Sequence, residues 1–134
     1  MNPLVRSFHH PATSTWSHVV IDPATRRAAI IDPVLDFDAP SARVSTGSAQ
    51  RLLEYIATTG LQIDWILETH AHADHLSAAD WLKRQLASGN AAPAIGIGHG
   101  IIGVQQTFKA ALNLDDQFVA DGRQFDALFL DGET

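Results

Sequence analysis

The first third of the chain alternates short β-prone runs with turn signals: residues 5–8, then TWSHVVID from Thr15, then RAAIID ending at Asp32. Asp22-Pro23-Ala24-Thr25 separates the last two. Proline fixes φ and aspartate bonds its own backbone, so this tetrapeptide reads as the turn of an antiparallel hairpin. A Pro- and Asp-rich link, DPVLDFDAPSAR, leads to STGSAQRLLEYIATTG, in which Leu52, Leu53, Ile56 and Ala57 share a helical face and Gly60 supplies the stop. QIDWILET is mostly apolar and β-prone, the pattern of a strand covered on both faces. Leu76, Ala79, Leu82 and Leu86 then recur at helical spacing, with Gly89 and Asn90 as a stop. AIGIG predicts a short strand and IIGVQQTFKAAL an amphipathic helix. Residues 115–134 read as irregular chain finishing on the turn signal Asp131-Gly132-Glu133-Thr134.

At 134 residues and 46% hydrophobic content, the chain has the size of one domain and enough apolar material for a core. Fifteen acidic against nine basic residues, a net charge of -6, argue against a nucleic-acid surface and leave no polybasic membrane patch. No run approaches a membrane span and MNPLVRSFHHPATSTW lacks the apolar core of a signal peptide, so a cytoplasmic location is expected. The absence of cysteine narrows the chemistry further. There is no disulfide framework and no thiolate nucleophile, and any metal must be held by nitrogen and oxygen.

Such donors are concentrated in ILETHAHADHL, residues 66–76, which packs three histidines and an aspartate into six positions. Side chains two apart in an extended segment point the same way, so His70 and His72 are expected to aim at one point beyond the strand end. Asp74 and His75 then fall in the turn that starts the next helix. Imidazole and carboxylate suit zinc, iron and manganese, and a rigid strand-to-helix corner holds them at little ordering cost. His70, His72, Asp74 and His75 are therefore the candidate metal ligands. A solvated, histidine-rich turn is the competing reading, against which the density and order of the cluster weigh. The remaining histidines lack that company: His9 and His10 precede Pro11 in an expected loop, and His18 lies in a strand, so all three read as structural or exposed. His99 sits in GIGHG, which has neither the lysine nor the hydroxyl residue of a phosphate-binding loop. Trp16, Trp65 and Trp81 read as core or half-buried packing. Asp32, ending IIDP near the expected site, reads as a structural support for it.

Residues 69–75 carry T-H-x-H-x-D-H, and here the chain resembles the metallo-β-lactamase superfamily. ETHAHADHLSAADWLKRQL, IIDPVLDF, GLQIDWILE and IGIGHGIIGVQQTF are most similar to bacterial persulfide dioxygenases and β-lactamase-like hydrolases of sulfur metabolism. Thioester hydrolases of the glyoxalase II type share the motif but follow it with a Gly-Gly pair where this chain has Leu76-Ser77-Ala78-Ala79. The resemblance implies an α/β (α+β) fold, the αββα sandwich, with its metal site at the edge between two β-layers. For the hydrolases it implies one metal at His70 and His72 and a second at Asp74 and His75, the cation lowering the pKa of a water that attacks a carbonyl. Asp74 is then also the candidate catalytic carboxylate. For persulfide dioxygenases it implies a single ferrous ion on two histidines and one aspartate, of which only the His70 position falls in this chain. His72, Asp74 and His75 would then stand behind the iron or remain as vestigial ligands.

The implied activity is oxidation of glutathione persulfide by dioxygen and water to sulfite and glutathione at mononuclear Fe(2+). Zn(2+)-dependent thioester hydrolysis is the alternative, and a catalytically silent metal-binding or interaction module the third reading. In either enzyme the substrate is a small-molecule thiol derivative. Family members continue past the Asp131–Thr134 turn into a second sheet with further ligands, and no histidine follows His99 here. Residues 1–134 are thus expected to be the first half of one sandwich, a mixed β-sheet with covering helices. Helices from Gln50 and Leu76 can cover one face of the sheet that carries Val19, Ile21, Ile30, Trp65 and Leu67. The other face is expected to take a second copy of the chain or a partner, or to stay partly molten. Metal binding by one loop alone is expected to be weak.

Overall fold

The Asp22 turn folds as its sequence requires, the carboxylate accepting the Ala24 N–H at 2.9 Å and the Thr25 hydroxyl at 2.6 Å. The computed structural model describes residues 1–133; Thr134, the last residue of the terminal turn signal, lies outside them. The elements are β1 (Leu4–His10), β2 (Thr15–Ile21), β3 (Arg27–Ile31), β4 (Val34–Asp38), β5 (Arg43–Ser45), α1 (Gly47–Thr59), β6 (Gln62–Leu67), β7 (Leu76–Ser77), α2 (Ala79–Leu86), β8 (Ala94–Gly98), α3 (Ile101–Ala111) and β9 (Ala127–Phe129). β1, β2 and β3 form the antiparallel part of a mixed sheet. β6, β8 and β9 continue it in parallel, giving the order β1-β2-β3-β6-β8-β9. Each parallel step is made by one helical crossover.

The core lies between one face of this sheet and the helices α1 and α2. Val19, Ile21, Ala28, Ile30, Ile63, Ile66 and Ile95 pack on Ala49, Leu52 and Ile56 of α1 and Ala79 and Leu82 of α2. A register shift between Ala28 and Ala29 leaves Asp64 unpaired in the ladder and lets Ile63 and Ile66, three apart, face the same side. Gly60 ends α1 in the left-handed conformation, as expected, while Ala57 is exposed. The opposite face carries Val20, Ala29, Ile31, Trp65, Leu67 and Phe129, all half-buried, with the Trp65 and Phe129 rings 5.5 Å apart. Of the strand residues expected to need cover, Val19, Ile21 and Ile30 are thus buried by the helices, and Trp65 and Leu67 fall on the barer side.

Several expectations are corrected. DPVLDFDAPSAR is not a plain link: it forms β4 and β5, and β4 sits between β5 and β7 in a second, three-stranded sheet. Leu76 belongs to β7, opposite Leu35, and α2 begins only at Ala79. Residues 115–133 contain β9, a three-residue strand paired with β8. His9 and His10 end strand β1 and are not in a loop. Trp16 is 52% exposed, held only against the His9 ring. β4 with β7, and β9 with β8, acquire strand character from a partner distant in sequence, which local propensity does not report. Among the described residues no helix is long and apolar enough to cross a membrane.

Candidate metal centre

Two parallel neighbours, β3 and β6, each end in a carboxylate. The Asp32 N–H bonds the Leu67 carbonyl at 2.9 Å, so Asp32 and Glu68 emerge side by side at the head of the sheet. Asp32 has φ of +50°, a left-handed conformation that aspartate tolerates better than most residues and that turns the chain into Pro33. Its carboxylate accepts the Thr69 N–H at 2.8 Å, the Thr69 hydroxyl at 2.6 Å and His72 Nε2 at 2.9 Å. Burial pushes this carboxyl up, but the bonds from Thr69 and His72 more than offset it and hold it below the usual range.

These contacts fix the histidine tautomers. The single Thr69 hydroxyl proton goes to Asp32, so Thr69 Oγ1 must accept from His70 Nδ1, 2.8 Å away, and His70 is left with a free lone pair on Nε2. His72 Nε2 faces Asp32 at 2.9 Å and Glu68 at 3.0 Å, which obliges it to carry its proton and leaves Nδ1 as the free donor atom. Glu68 was not singled out in the sequence. It is buried, it accepts the Ser77 hydroxyl, and burial pushes its carboxyl up to about 7. The signal was present: ILE, like IID, ends an apolar strand on an acid.

The free face of His72 looks toward Asp74 and His75, and a ligand atom from each of the three lies within 4.8 Å of the others. The His75 side chain is 2% exposed, and neither ring nitrogen has a hydrogen-bond partner. Its Nδ1 lies 3.0 Å from Asp74 Oδ1, but off the hydrogen-bond direction, so proximity and pairing disagree and the geometry decides against a bond. Burial, then the neighbouring His72, lowers its pKa and keeps the imidazole neutral, the form that ligates metals. Asp74 is half exposed. The rings of His70 and His72 are 4.2 Å apart, as are those of His72 and His75. His70 and His72 therefore lie on one side, with exposed His70 outside the tight trio.

A donor set of this kind fits a divalent cation, which would satisfy the buried nitrogens of His75; the other acidic trio, Asp32, Glu68 and His72, is already closed by hydrogen bonds. In front of the trio opens a cavity of about 530 Å³, walled by His72, Asp74 and His75 on one side and by His10, Asp36 and Phe37 on the other. Among the described residues, neither lysine nor arginine lines it. His10 is buried, with Asp36 at 2.7 Å and Thr13 at 2.7 Å. His18 bonds Ser7 from the barer sheet face, and His99 is exposed.

The sequence profile of the metallo-beta-lactamase superfamily matches residues 11–128, which takes in the hairpin, the corner and the strands that carry it. The chain belongs to that superfamily. Among curated relatives, a beta-lactamase hydrolase-like protein of Agrobacterium fabrum is 44% identical over 98% of this chain and 29% of its own length. Glyoxylase B2 of Dictyostelium discoideum is 44% identical over 96% of this chain and 43% of its own length. The mitochondrial persulfide dioxygenase ETHE1 of Homo sapiens is 30% identical over 62% of this chain and 28% of its own. The crystal structure of ETHE1 from Myxococcus xanthus superposes with a TM-score of 0.55 and 27% identity, over 69% of this chain and 34% of that one. The BLEG-1 B3 metallo-beta-lactamase, at 19% identity and a TM-score of 0.58 over 94% of this chain and 53% of its own, shares the fold. The chain spans less than half the length of each of these curated relatives.

Proposed function

We propose that these residues form the histidine-rich half of a metal-dependent enzyme that oxidises the outer sulfur of a low-molecular-weight persulfide, glutathione persulfide being the leading substrate, at a single ferrous ion. The observation that carries a metal role is His75, a neutral, buried imidazole with two unpartnered nitrogens beside His72 Nδ1 and Asp74. The sulfur chemistry is supported by likeness to ETHE1 proteins in both sequence and structure. His72 through Nδ1, Asp74 and His75 would hold the metal, with His70, its Nε2 free, adjoining. A bound ferrous ion supplies redox chemistry toward dioxygen and a position for the sulfur. Asp74, half exposed at the cavity wall, would hold a proton released by the substrate. Since, among the described residues, neither lysine nor arginine lines the cavity, the substrate's carboxylates would have to be met by groups outside this wall.

A zinc-dependent thioester hydrolase is the second reading, favoured by the 44% identity to a glyoxylase. Against it stands Leu76-Ser77-Ala78-Ala79 where the glyoxalase II type has a Gly-Gly pair. The discriminating experiment is metal analysis and product assay on the protein that carries this chain. Iron near one equivalent with sulfite release supports the first reading; two zincs with thiol release and no sulfite would replace it. Neither activity leaves a silent metal-binding or interaction module.

A further inference from the structure

One carboxylate is enough to fix an imidazole tautomer, and Asp32 already stands 2.9 Å from His72 Nε2. The structure nevertheless brings a second, Glu68, to the same nitrogen at 3.0 Å. The Glu68 side chain is 5% exposed, and Lys and Arg are absent from its hydrogen-bond and ion-pair partners, which are Ser77 and His72. Ionising a carboxyl in such a place costs the metal-free protein stability, because the charge loses water, stands beside Asp32 and gains no cation, which is the reason its pKa is raised. We infer that Glu68 is a positioning residue for the metal centre: it holds the His72 ring with Nδ1 toward Asp74 and His75, and its charge behind the ring strengthens that nitrogen as a donor.

Three contacts carry the inference. The acceptors of the His72 N–H come from the ends of two different strands, so together they set the plane of the ring where one acceptor would leave it free to swing about the bond. Glu68 is itself held: Ser77 donates its hydroxyl to Oε1, and Ser77 Oγ in turn accepts the Ala79 N–H at 3.0 Å. The face of His72 is thereby tied to the first turn of α2 as well as to the sheet. Finally, a carboxylate on the far nitrogen of a ligating histidine raises its basicity, and loss of such a partner typically weakens metal binding about 10- to 100-fold. The inference rests on the metal-centre reading above.

Glu68→Gln separates this role from a structural one, because glutamine keeps the shape and can still accept from His72 through its oxygen, its amide then donating to Ser77 Oγ, while removing the charge. The probe is cobalt(II), titrated into the metal-free chain up to millimolar concentration and followed by its visible d–d bands, with thermal unfolding measured on the same metal-free samples. Glu68→Gln is expected to weaken cobalt binding at least about tenfold and alter the d–d spectrum, while the metal-free melting temperature stays level or rises. Ser77→Ala, which frees the Glu68 rotamer, is expected to move cobalt affinity the same way by a smaller factor. Cobalt affinity and spectrum unchanged in Glu68→Gln overturn the inference and leave the metal centre intact. Parallel losses of affinity and metal-free stability overturn it in favour of a purely structural Glu68. No saturable cobalt binding by the unsubstituted chain overturns the metal-centre reading and the inference with it.

Discussion

Both ring nitrogens of His75 are buried without a partner, so in the metal-free chain the residue carries an uncompensated desolvation. Leaving a buried polar group unpaired costs about 1–3 kcal/mol. His75→Leu is accordingly expected to raise metal-free stability by about 1 kcal/mol in a denaturant titration and to remove any stabilisation by added cobalt or zinc. A loss of stability would show that His75 is satisfied in solution without metal. Asp32 has the opposite character: three hydrogen bonds converge on it, and its backbone is left-handed at φ of +50°. Asp32→Ala loses the bonds and adds strain, whereas Asp32→Asn keeps the turn and most of the acceptor capacity. The alanine variant should unfold at lower denaturant, by about 2 kcal/mol more than the asparagine variant.

The element that frames the cavity opposite the metal corner is β4, and Asp36 couples it to α1. The Asp36 carboxylate accepts the Ser48 N–H at 2.7 Å and the Ser48 hydroxyl at 2.6 Å, so α1 is capped from a strand, its own Thr46 making no side-chain cap bond. Burial pushes the Asp36 carboxyl up, but the bonds from Ser48 and His10 outweigh it and hold it below the ordinary value. A depressed carboxyl contributes stability above the unfolded-state pKa of about 4, and that stability is lost as pH falls through the folded value. Asp36→Asn is expected to lower stability at pH 7 by about 1 kcal/mol and to flatten the loss of stability as pH falls below about 4. Acid unfolding profiles that run parallel for the two proteins would show that the pair carries no linkage. Another element-scale constraint is Gly96 in β8, where an added Cβ would come 2.6 Å from the Phe129 ring and 3.2 Å from Leu67. Gly96→Ala should shift β9 and change Trp65 fluorescence, at a cost of about 1–3 kcal/mol.

At the scale of the molecule the decisive feature is apolar surface left without cover. Among the described residues no helix covers the sheet face bearing Val20, Ile31, Trp65, Leu67 and Phe129, which stay only half-buried, and α3 exposes Val104, Phe108 and Leu112. Each large side chain left in water forgoes about 1.5–3 kcal/mol, and a few of them match the whole stability of a small domain. The 134-residue chain is therefore expected to self-associate, or to bind a dye that reports exposed apolar surface. A monomer by sedimentation, with a sharp cooperative transition and no dye binding, would contradict this. The site's make-up bears on metal as well: the donors come from one loop, so dialysis against a mild chelator should strip the metal from this chain.

The metal corner was legible in the sequence because its parts are neighbours in it. H-x-H-x-D-H after an apolar strand gathers the donors in one short loop, which no long-range contact is needed to state; the strand period does not set them, because β6 ends at Leu67 and β7 intervenes before α2 begins at Ala79. The main sheet was legible for a similar reason, since its longer strands and three helices carry their own periodicity. Residues 32–45 and β9 were not. Their strands are three to five residues long, the long-range pairing joins Leu35 to Leu76 and Leu128 to Ile97, and such pairing is a property of the folded chain. Glu68 and His10 belong to the same class. An acid at a strand end is visible locally, as in ILE and IID, but what it faces is not, and nothing local marks a histidine before proline. Only the juxtaposition of β3 with β6 puts two carboxylates on one imidazole, and only β4 brings Asp36 to His10. The sequence thus determined which donor atoms the protein offers, and the tertiary structure decided which nitrogen of each ring is free to use them.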